Sequence, residues 1–302
     1  MKKIFFGMLA VVAMIATSCE NLASGEFGGK TVEVVVNVGT PQIVNRADFS
    51  DGTTATRLQY AVYDSTGAIL DQHTVTDGVI NGSTTITLKL VTGNTYSVLF
   101  WASAPESPYT VDLANKTMTV SYANAVCGDE ARDAFYKYIS FTVSGAMNVD
   151  AELRRPFAQL NIGTDDYAIA TAAGHTVTHA RITTNAYKTL NMATGAVSDR
   201  VTAEFGYAPI PTSQDFPVAN YEYMAMTYLL MASSMETVEV TFAYATSATG
   251  ANEKTRTIGS VPVQRNHRTN LYGTLLTSLV NVDVEIKPGY DDYDHPVEVP
   301  AL

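Results

Sequence analysis

Five histidines and two cysteines are the scarcest reactive side chains in this chain of 302 residues, so metal or nucleophilic chemistry would have to start from them. His175 and His179 would share one face of a strand, but four strand residues span ~13 Å, too far for one metal unless the chain bends. Asp291, Asp292, Asp294 and His295 could gather a cation, yet they lie in an acidic, proline-containing end that reads as solvated. No Gly-x-Ser-x-Gly elbow, Gly-x-Gly-x-x-Gly loop, Walker loop or Cys-x-x-Cys pair occurs. Paired carboxylates for glycoside hydrolysis leave no readable spacing when the partners come from distant strands. The expectation is a non-enzymatic protein with no cofactor and no metal.

Cys19 is different. A cationic start, Met1 to Lys3, precedes an apolar run from Ile4 to Ala16 that is too short for a membrane span but right for a secretory core. Ala16-Thr17-Ser18-Cys19 then resembles the lipobox of bacterial lipoproteins, in which cleavage before Cys19 leaves that thiol and the new amino terminus to be acylated. Each buried acyl methylene adds ~0.8 kcal/mol, so residues 1–18 read as a signal peptide and Cys19 as a lipid anchor that tethers the chain without spanning. Cys127 then stands alone with no adjacent histidine, and reads as a buried structural thiol. The 30 acidic against 19 basic side chains give a formal charge of −11. That charge repels phosphate backbones, no basic patch overcomes it, and no nucleic-acid partner is expected.

Beyond a tether over residues 19–30, the elements have a period of two, interrupted by turn residues. Thr31 to Val38 places Val32, Val34, Val36 and Val38 on one face, opposite Thr31, Glu33 and Asn37. Further strands are expected at Arg57 to Asp64, Ala68 to Thr76, Ser83 to Val91, Thr95 to Ala102, Lys116 to Val120 and Ala134 to Val143. A second set covers Asn148 to Leu153, Phe157 to Ile162, His175 to Thr184, Glu222 to Met231, Val238 to Ala245, Thr255 to Val263, Thr269 to Thr277 and Val280 to Ile286. Thr164 could cap a short helix that starts with Asp165 and Asp166 and stops at Gly174. The chain therefore reads as all-β, with two β-sandwiches in tandem over residues 31–146 and 147–287, a short helix in the second, and an acidic tail over 288–302.

The order of lipobox, valine strand, arginine-bearing loop and two β-domains resembles the fimbrillin-like lipoproteins of Bacteroidales, and within that superfamily a branch without assigned activity. Leu153-Arg154-Arg155-Pro156-Phe157-Ala158-Gln159-Leu160-Asn161-Ile162 near the domain junction and Val261-Pro262-Val263-Gln264-Arg265-Asn266 through Tyr272 carry the same resemblance. It implies two transthyretin-like sandwiches, export as an outer-membrane lipoprotein to the surface or a fimbrium, proteolytic removal of the first strand after an arginine, and polymerisation by strand donation. Arg46, in the connector Gly39 to Thr56, is then the candidate cut site, and Val32, Val34, Val36 and Val38 mark the removable strand. Asp48, Ser50, Asp51 and Gly52 make that connector read as a flexible loop. Val280, Val282, Val284 and Ile286 alternate with Asn281, Asp283 and Glu285 and form a candidate donor strand. Pro288, Pro296 and Pro300 remove ladder donors beyond it. The implied partners are other fimbrial subunits or further copies of the chain, a host or bacterial surface receptor, and the membrane through the lipid anchor only.

The alternative is a surface lipoprotein that is never cut and binds a glycan or a protein. Tyr136 and Tyr138 share a strand face opposite Phe135, Lys137, Ile139 and Phe141, and could make such a contact or simply pack between sheets. Tyr221 and Tyr223, near Met224 and Met226, read as core. Asp64-Ser65-Thr66 resembles a short O-glycosylation acceptor, with an ordinary turn as the other reading.

Overall fold

Period-two alternation of apolar and polar side chains commits most of the chain to strands with one face on a core. The computed structural model describes residues 29–40, 49–75, 83–277 and 282–287. In chain order the strands are β1 (Thr31–Gly39), β2 (Arg57–Tyr63), β3 (Ile69–Val75), β4 (Ser83–Val91), β5 (Thr95–Ser103), β6 (Tyr109–Asp112), β7 (Thr117–Val120), β8 (Ala134–Thr142) and β9 (Met147–Glu152). Then come β10 (Phe157–Thr164), β11 (His179–Asn191), β12 (Val197–Pro209), β13 (Glu222–Leu230), β14 (Glu236–Ala245), β15 (Lys254–Val263), β16 (Arg268–Gly273) and β17 (Val282–Lys287). The fold is all-β apart from helix α1 (Tyr167–Ala172) and a 3-10 turn over Glu130–Arg132.

The strands build two sandwiches. Sheet β4-β1-β9 faces sheet β3-β2-β5-β8 across a core that includes Val34, Val36, Leu58, Leu88, Phe100 and Phe135. Sheet β13-β10-β16-β17 faces the sheet β15-β14-β11-β7-β6, to which β12 adds through β11, across a core that includes Leu160, Ile182, Met226, Val240 and Phe242. The sandwiches share a boundary, because β5 is buried on both faces. Val98 and Phe100 point to the first core, while Leu99 and Trp101 point to the second. Tyr109 bridges the boundary, edge-on to Trp101 and stacked on Phe157 with centroids 5.1 Å apart.

Two groups of strands cross the division expected at residues 146/147. β9, from beyond it, pairs in parallel with β1, with Val36 opposite Val149. The β6–β7 hairpin, from before it, joins the second sandwich by pairing β7 with the end of β11. β12 is a strand that the alternation leaves unmarked, and β11 runs to Asn191, beyond the Thr184 end that the pattern suggests.

The expected helix forms, but Thr164 does not cap it. Its hydroxyl donates to Asp166 Oδ1 at 2.5 Å, and the Asp166 side chain makes no capping bond to the helix. The buried Asp166 carboxylate instead accepts from Leu275 N, Leu276 N, Thr277 N and Thr277 Oγ1. This clamp ends β16 at Gly273, short of Thr277, and fixes the chain ahead of β17. Burial alone would raise the Asp166 pKa, but the Thr164 and Thr277 hydroxyls and the Leu276 and Thr277 amides outweigh it and hold the carboxyl below its usual value. A lowered carboxyl stabilises the fold above its unfolded pKa of ~3.9, and that contribution is lost as pH falls through the folded value. Asp166→Asn should therefore cost about 1–3 kcal/mol at pH 7. In urea unfolding, the gap to the parent protein should shrink at pH 3; a gap unchanged by pH would contradict the clamp.

The candidate assembly groove and its anchor

β1 is the central strand of its sheet. It pairs antiparallel with β4 along its whole length, from Thr31 opposite Val91 to Gly39 opposite Ser83, and parallel with β9 from Val34 to Gly39. Val34, Val36 and Val38 are 0%, 0% and 1% exposed, and Val32 is half-buried against the same core. On the opposite face Thr31, Glu33 and Asn37 are exposed. A single layer of backbone thus closes the core here, and nothing among the described residues covers the outer face. Asn37 Nδ2 donates to Asp150 Oδ1 at 2.9 Å, a polar pair that marks the β1–β9 register on the solvent side. Without β1, a slot would open between β4 and β9, lined by apolar side chains and by backbone groups that want a strand.

The candidate donor is held elsewhere. β17 is the edge strand of its sheet, antiparallel to β16, with Ile286 buried and Val284 half-buried. Its register is pinned by a polar row across the sheet. Tyr223 OH donates to Asn161 Oδ1, Asn161 Nδ2 to Asn270 Oδ1, and Asn270 Nδ2 to Glu285 Oε2, at 2.7, 2.8 and 3.1 Å. Val282 opens β17, while Val280, Cys19, Arg46 and the Asp291, Asp292, Asp294 and His295 cluster lie outside the described residues.

The connector is not a loose loop throughout. Phe49 is buried edge-on to Tyr223, and Ser50, at φ 65°, is buried with every polar atom engaged. Ser50 N donates to Glu130 Oε2 at 2.9 Å, its hydroxyl meets Tyr228 OH at 2.6 Å, and its carbonyl accepts from Arg155 Nη2 at 2.6 Å. Tyr228 OH also donates to Glu130 Oε1 at 2.8 Å. Arg155 completes a fork on Asp133, Nε to Oδ1 at 2.7 Å and Nη2 to Oδ2 at 2.8 Å, with side chains 1% and 0% exposed. Its guanidinium lies 4.4 Å over the Phe135 ring. Gly52, at φ 74°, brings the chain so close that a Cβ there would sit 3.2 Å from Phe135. Burial and the nearby Asp133 carboxylate push the Glu130 carboxyl up to about 7. Nothing in the spacing of Ser50, Glu130, Asp133, Arg155 and Tyr228 announces this cluster; Arg155 lies in a segment that carries the family resemblance, Ser50 in the connector read as a flexible loop and Tyr228 in an expected strand, with no sign that they meet.

The other singled-out residues are structural. Tyr136 and Tyr138 pack toward the second core, opposite Phe135 in the first. Tyr223 is buried and Tyr221 lies partly buried against Tyr272. The Asp64 carboxylate accepts from Thr66 N, Thr66 Oγ1 and Ala68 N and so builds an ordinary turn. The Cys127 thiol is buried and pushed up to about 12 by that burial, which leaves it protonated and inert. His179 Nδ1 is 2.8 Å from Thr178 Oγ1, and among the described residues no three metal-ligating side chains gather. No helix among them is long and apolar enough to cross a membrane.

Solved structures share this architecture. A fimbrial assembly protein from Parabacteroides distasonis is 14% identical, with a TM-score of 0.50 over 90% of this chain and 100% of that one. A candidate polysaccharide-binding protein from Bacteroides thetaiotaomicron is 13% identical, with a TM-score of 0.52 over 84% of this chain and 95% of that one. A candidate cell adhesion protein from Bacteroides uniformis is 12% identical, with a TM-score of 0.52 over 86% and 97%. At these identities the likeness is one of fold. No curated protein matches the sequence. The model of a family of unknown function, DUF6562, matches residues 26–299, and the chain belongs to that family.

Proposed function

We propose that this protein is a non-enzymatic, lipid-anchored surface subunit of a fimbria-like assembly, made ready for polymerisation when a cut after Arg46 frees β1. The observation that carries the reading is the position of β1: central in its sheet, its valines filling the first core, its other face open. Loss of β1 would leave β4 and β9 with unpaired edges on either side of an open core, and a strand from another subunit can take that slot by β-augmentation. β17 repeats the alternation of β1 and serves as the donor, from the same chain type or a related subunit. The shared fold of the Parabacteroides fimbrial assembly protein supports the reading. In it, residues 1–18 direct export, Cys19 carries the lipid that holds the unassembled form at the outer membrane, and residues 19–30 are the tether.

The second reading is an uncut surface lipoprotein that binds a glycan or protein. The fold shared with the candidate polysaccharide-binding protein favours it, and a cleft of about 310 Å³ beside Tyr167, Gln214, Phe216 and Tyr221 gives it a place. Sequencing the amino terminus of protein purified from the cell surface separates the two. Ala47 at the start, together with SDS-resistant ladders, is the result expected of the assembly subunit. Acylated Cys19 retained throughout, with no ladder, would replace it with the binding module.

A further inference from the structure

The connection between β12 and β13, residues 210–221, folds back on β10 and β16, and Asp215 within it bridges to Glu222 at the start of β13. Its Phe216 ring is seated on β10 at Gly163, where a Cβ would come within 2.8 Å of three ring carbons, so the seat exists only because that residue is glycine. Phe216 meets Tyr223 at 5.1 Å between centroids, and Tyr221 stands edge-on to Tyr272 at 4.7 Å. Tyr167 of α1 is held by its hydroxyl, which donates to Val177 O at 3.1 Å. Tyr167, Phe216, Tyr221 and Tyr223 line a cleft of about 310 Å³, at the small end of the ~300–1,000 Å³ typical of ligand sites. Its charge has one sign. Asp215 and Glu222 line it, and no lysine, arginine or histidine does. Glu222 is exposed and has no ion pair among the described residues. Burial and the nearby Asp165 and Asp283 carboxylates push the Tyr221 phenol up. Gln214 Oε1, enclosed in the same wall, is an acceptor with no donor among the described residues.

Rings and carboxylates side by side select one chemistry. The face of an aromatic ring is electron-rich and attracts a cation, and a carboxylate beside it attracts the same group. An anion would be repelled, and a neutral sugar would leave the carboxylates unused. A guanidinium uses both, because its plane can lie on a ring while its edge gives two N–H bonds to a carboxylate. We propose that this cleft binds an arginine side chain of a partner protein, with the guanidinium stacked on Tyr221 and donating to Glu222. The cleft holds one side chain, and the formal charge of −11 draws a basic partner toward it. Gly163, Phe216 and Tyr272 act as positioning residues that hold Tyr221 in place. The lining comes wholly from the second sandwich, so the site does not depend on β1. The inference deepens the binding reading, on which its biological use rests.

The test is an NMR titration of the purified chain with N-acetyl-arginine amide, set against N-acetyl-citrulline amide, which has the same shape without the charge, and against glucosamine. Signals of Phe216, Tyr221 and Glu222 should shift together and saturate with the arginine probe. The citrulline probe should bind at least about tenfold more weakly, since a hydrogen bond to a charged group exceeds a neutral one by that order. Glu222→Gln should lose about tenfold in affinity for the arginine probe, and Tyr221→Leu about threefold. Glu222 and Tyr221 are outside the buried core, so both variants should fold. Glu204→Gln, at an exposed position of β12 that does not line the cleft, should bind as the parent does. Equal binding of the two amides, unchanged affinity in Glu222→Gln, or shifts scattered over the acidic surface without saturation overturn the site. Glucosamine that saturates the same signals more tightly than the arginine probe overturns the protein partner and gives the cleft to an amino sugar. The readings fail separately. Surface protein that starts at Ala47 and still binds the arginine probe removes the uncut reading and keeps the site. Uncut protein that ignores the probe keeps that reading and removes the site.

Discussion

Protein cut after Arg46 and stripped of β1 should take up a synthetic strand of sequence Thr31–Gly39 and refuse the same peptide carrying Val36→Asp. The magnitudes follow from burial. Val34, Val36 and Val38 are essentially inaccessible to water, and a fully buried valine contributes ~1.5–3 kcal/mol, so the three together supply on the order of 5–9 kcal/mol. That is an upper figure, since an unfolded chain already hides part of this surface. It still rivals the ~5–15 kcal/mol that holds a whole domain together. The ladders with β4 and β9 add the direction and register that an incoming strand must satisfy, antiparallel to one and parallel to the other. Stripped protein should therefore unfold at a lower temperature than the intact chain, and peptide should restore the transition in proportion to its concentration. An aspartate at position 36 would place a lone charge in a core with nothing to pair it, at a cost of several kcal/mol, enough to abolish uptake. Calorimetric titration alongside thermal unfolding reads both effects. If the stripped chain melts where the intact one does and binds neither peptide, β1 is a decoration of the first sandwich and not its plug.

β1 was legible because a half-buried strand writes its environment into alternation. Four valines at spacing two, with Glu33 and Asn37 between them, have only one arrangement that keeps valine dry and acid wet. β12 was not legible for the converse reason. Its one ladder among the described residues is with β11, beside an isolated bridge from Gly206 to Val126; its outward side chains are Ser198, Arg200, Thr202 and Glu204, and only Ala203 and Phe205 are buried within it, so the apolar beat is too sparse to mark a strand. β10 lies between these cases. All eight residues are buried although Gln159 and Asn161 interrupt the apolar run, and the interruption becomes acceptable only once Asn270 and Tyr223 are seen to satisfy Asn161. The crossing of the expected domain division has the same origin. Lys116 to Val120 reads correctly as a strand, but its sheet is chosen by Tyr109 and Met118 packing into the second core, a choice made by residues far away in sequence. The sequence shows strands where a wet face alternates with a regular apolar one, and says least where partners from several elements converge, which is where the connector is held.

Replacing Arg155 by methionine should lower the free energy of unfolding by about 3–5 kcal/mol, the cost of leaving a buried carboxylate without its cation. Asp133 is fully enclosed, its two oxygens both accept from the same guanidinium, and no water-exposed route offers it relief. The double variant Arg155→Met/Asp133→Asn removes the stranded charge and should recover much of that loss, so a double-mutant cycle in urea should report a coupling well above 1 kcal/mol. A loss below 1 kcal/mol in the single variant would show that Asp133 finds another partner. Recovery of stability should not bring recovery of the hold on Ser50. Buried ion pairs can often be exchanged for apolar side chains without loss. A methionine, however, has no donor for the Ser50 carbonyl, and Ser50 sits in a left-handed backbone conformation that a non-glycine residue keeps only when its surroundings impose it. The double variant should therefore be nearly as stable as the parent in urea while amide exchange at Ser50 is faster, and that divergence is the signature of a cluster whose charge serves to hold the connector and not simply to hold the fold.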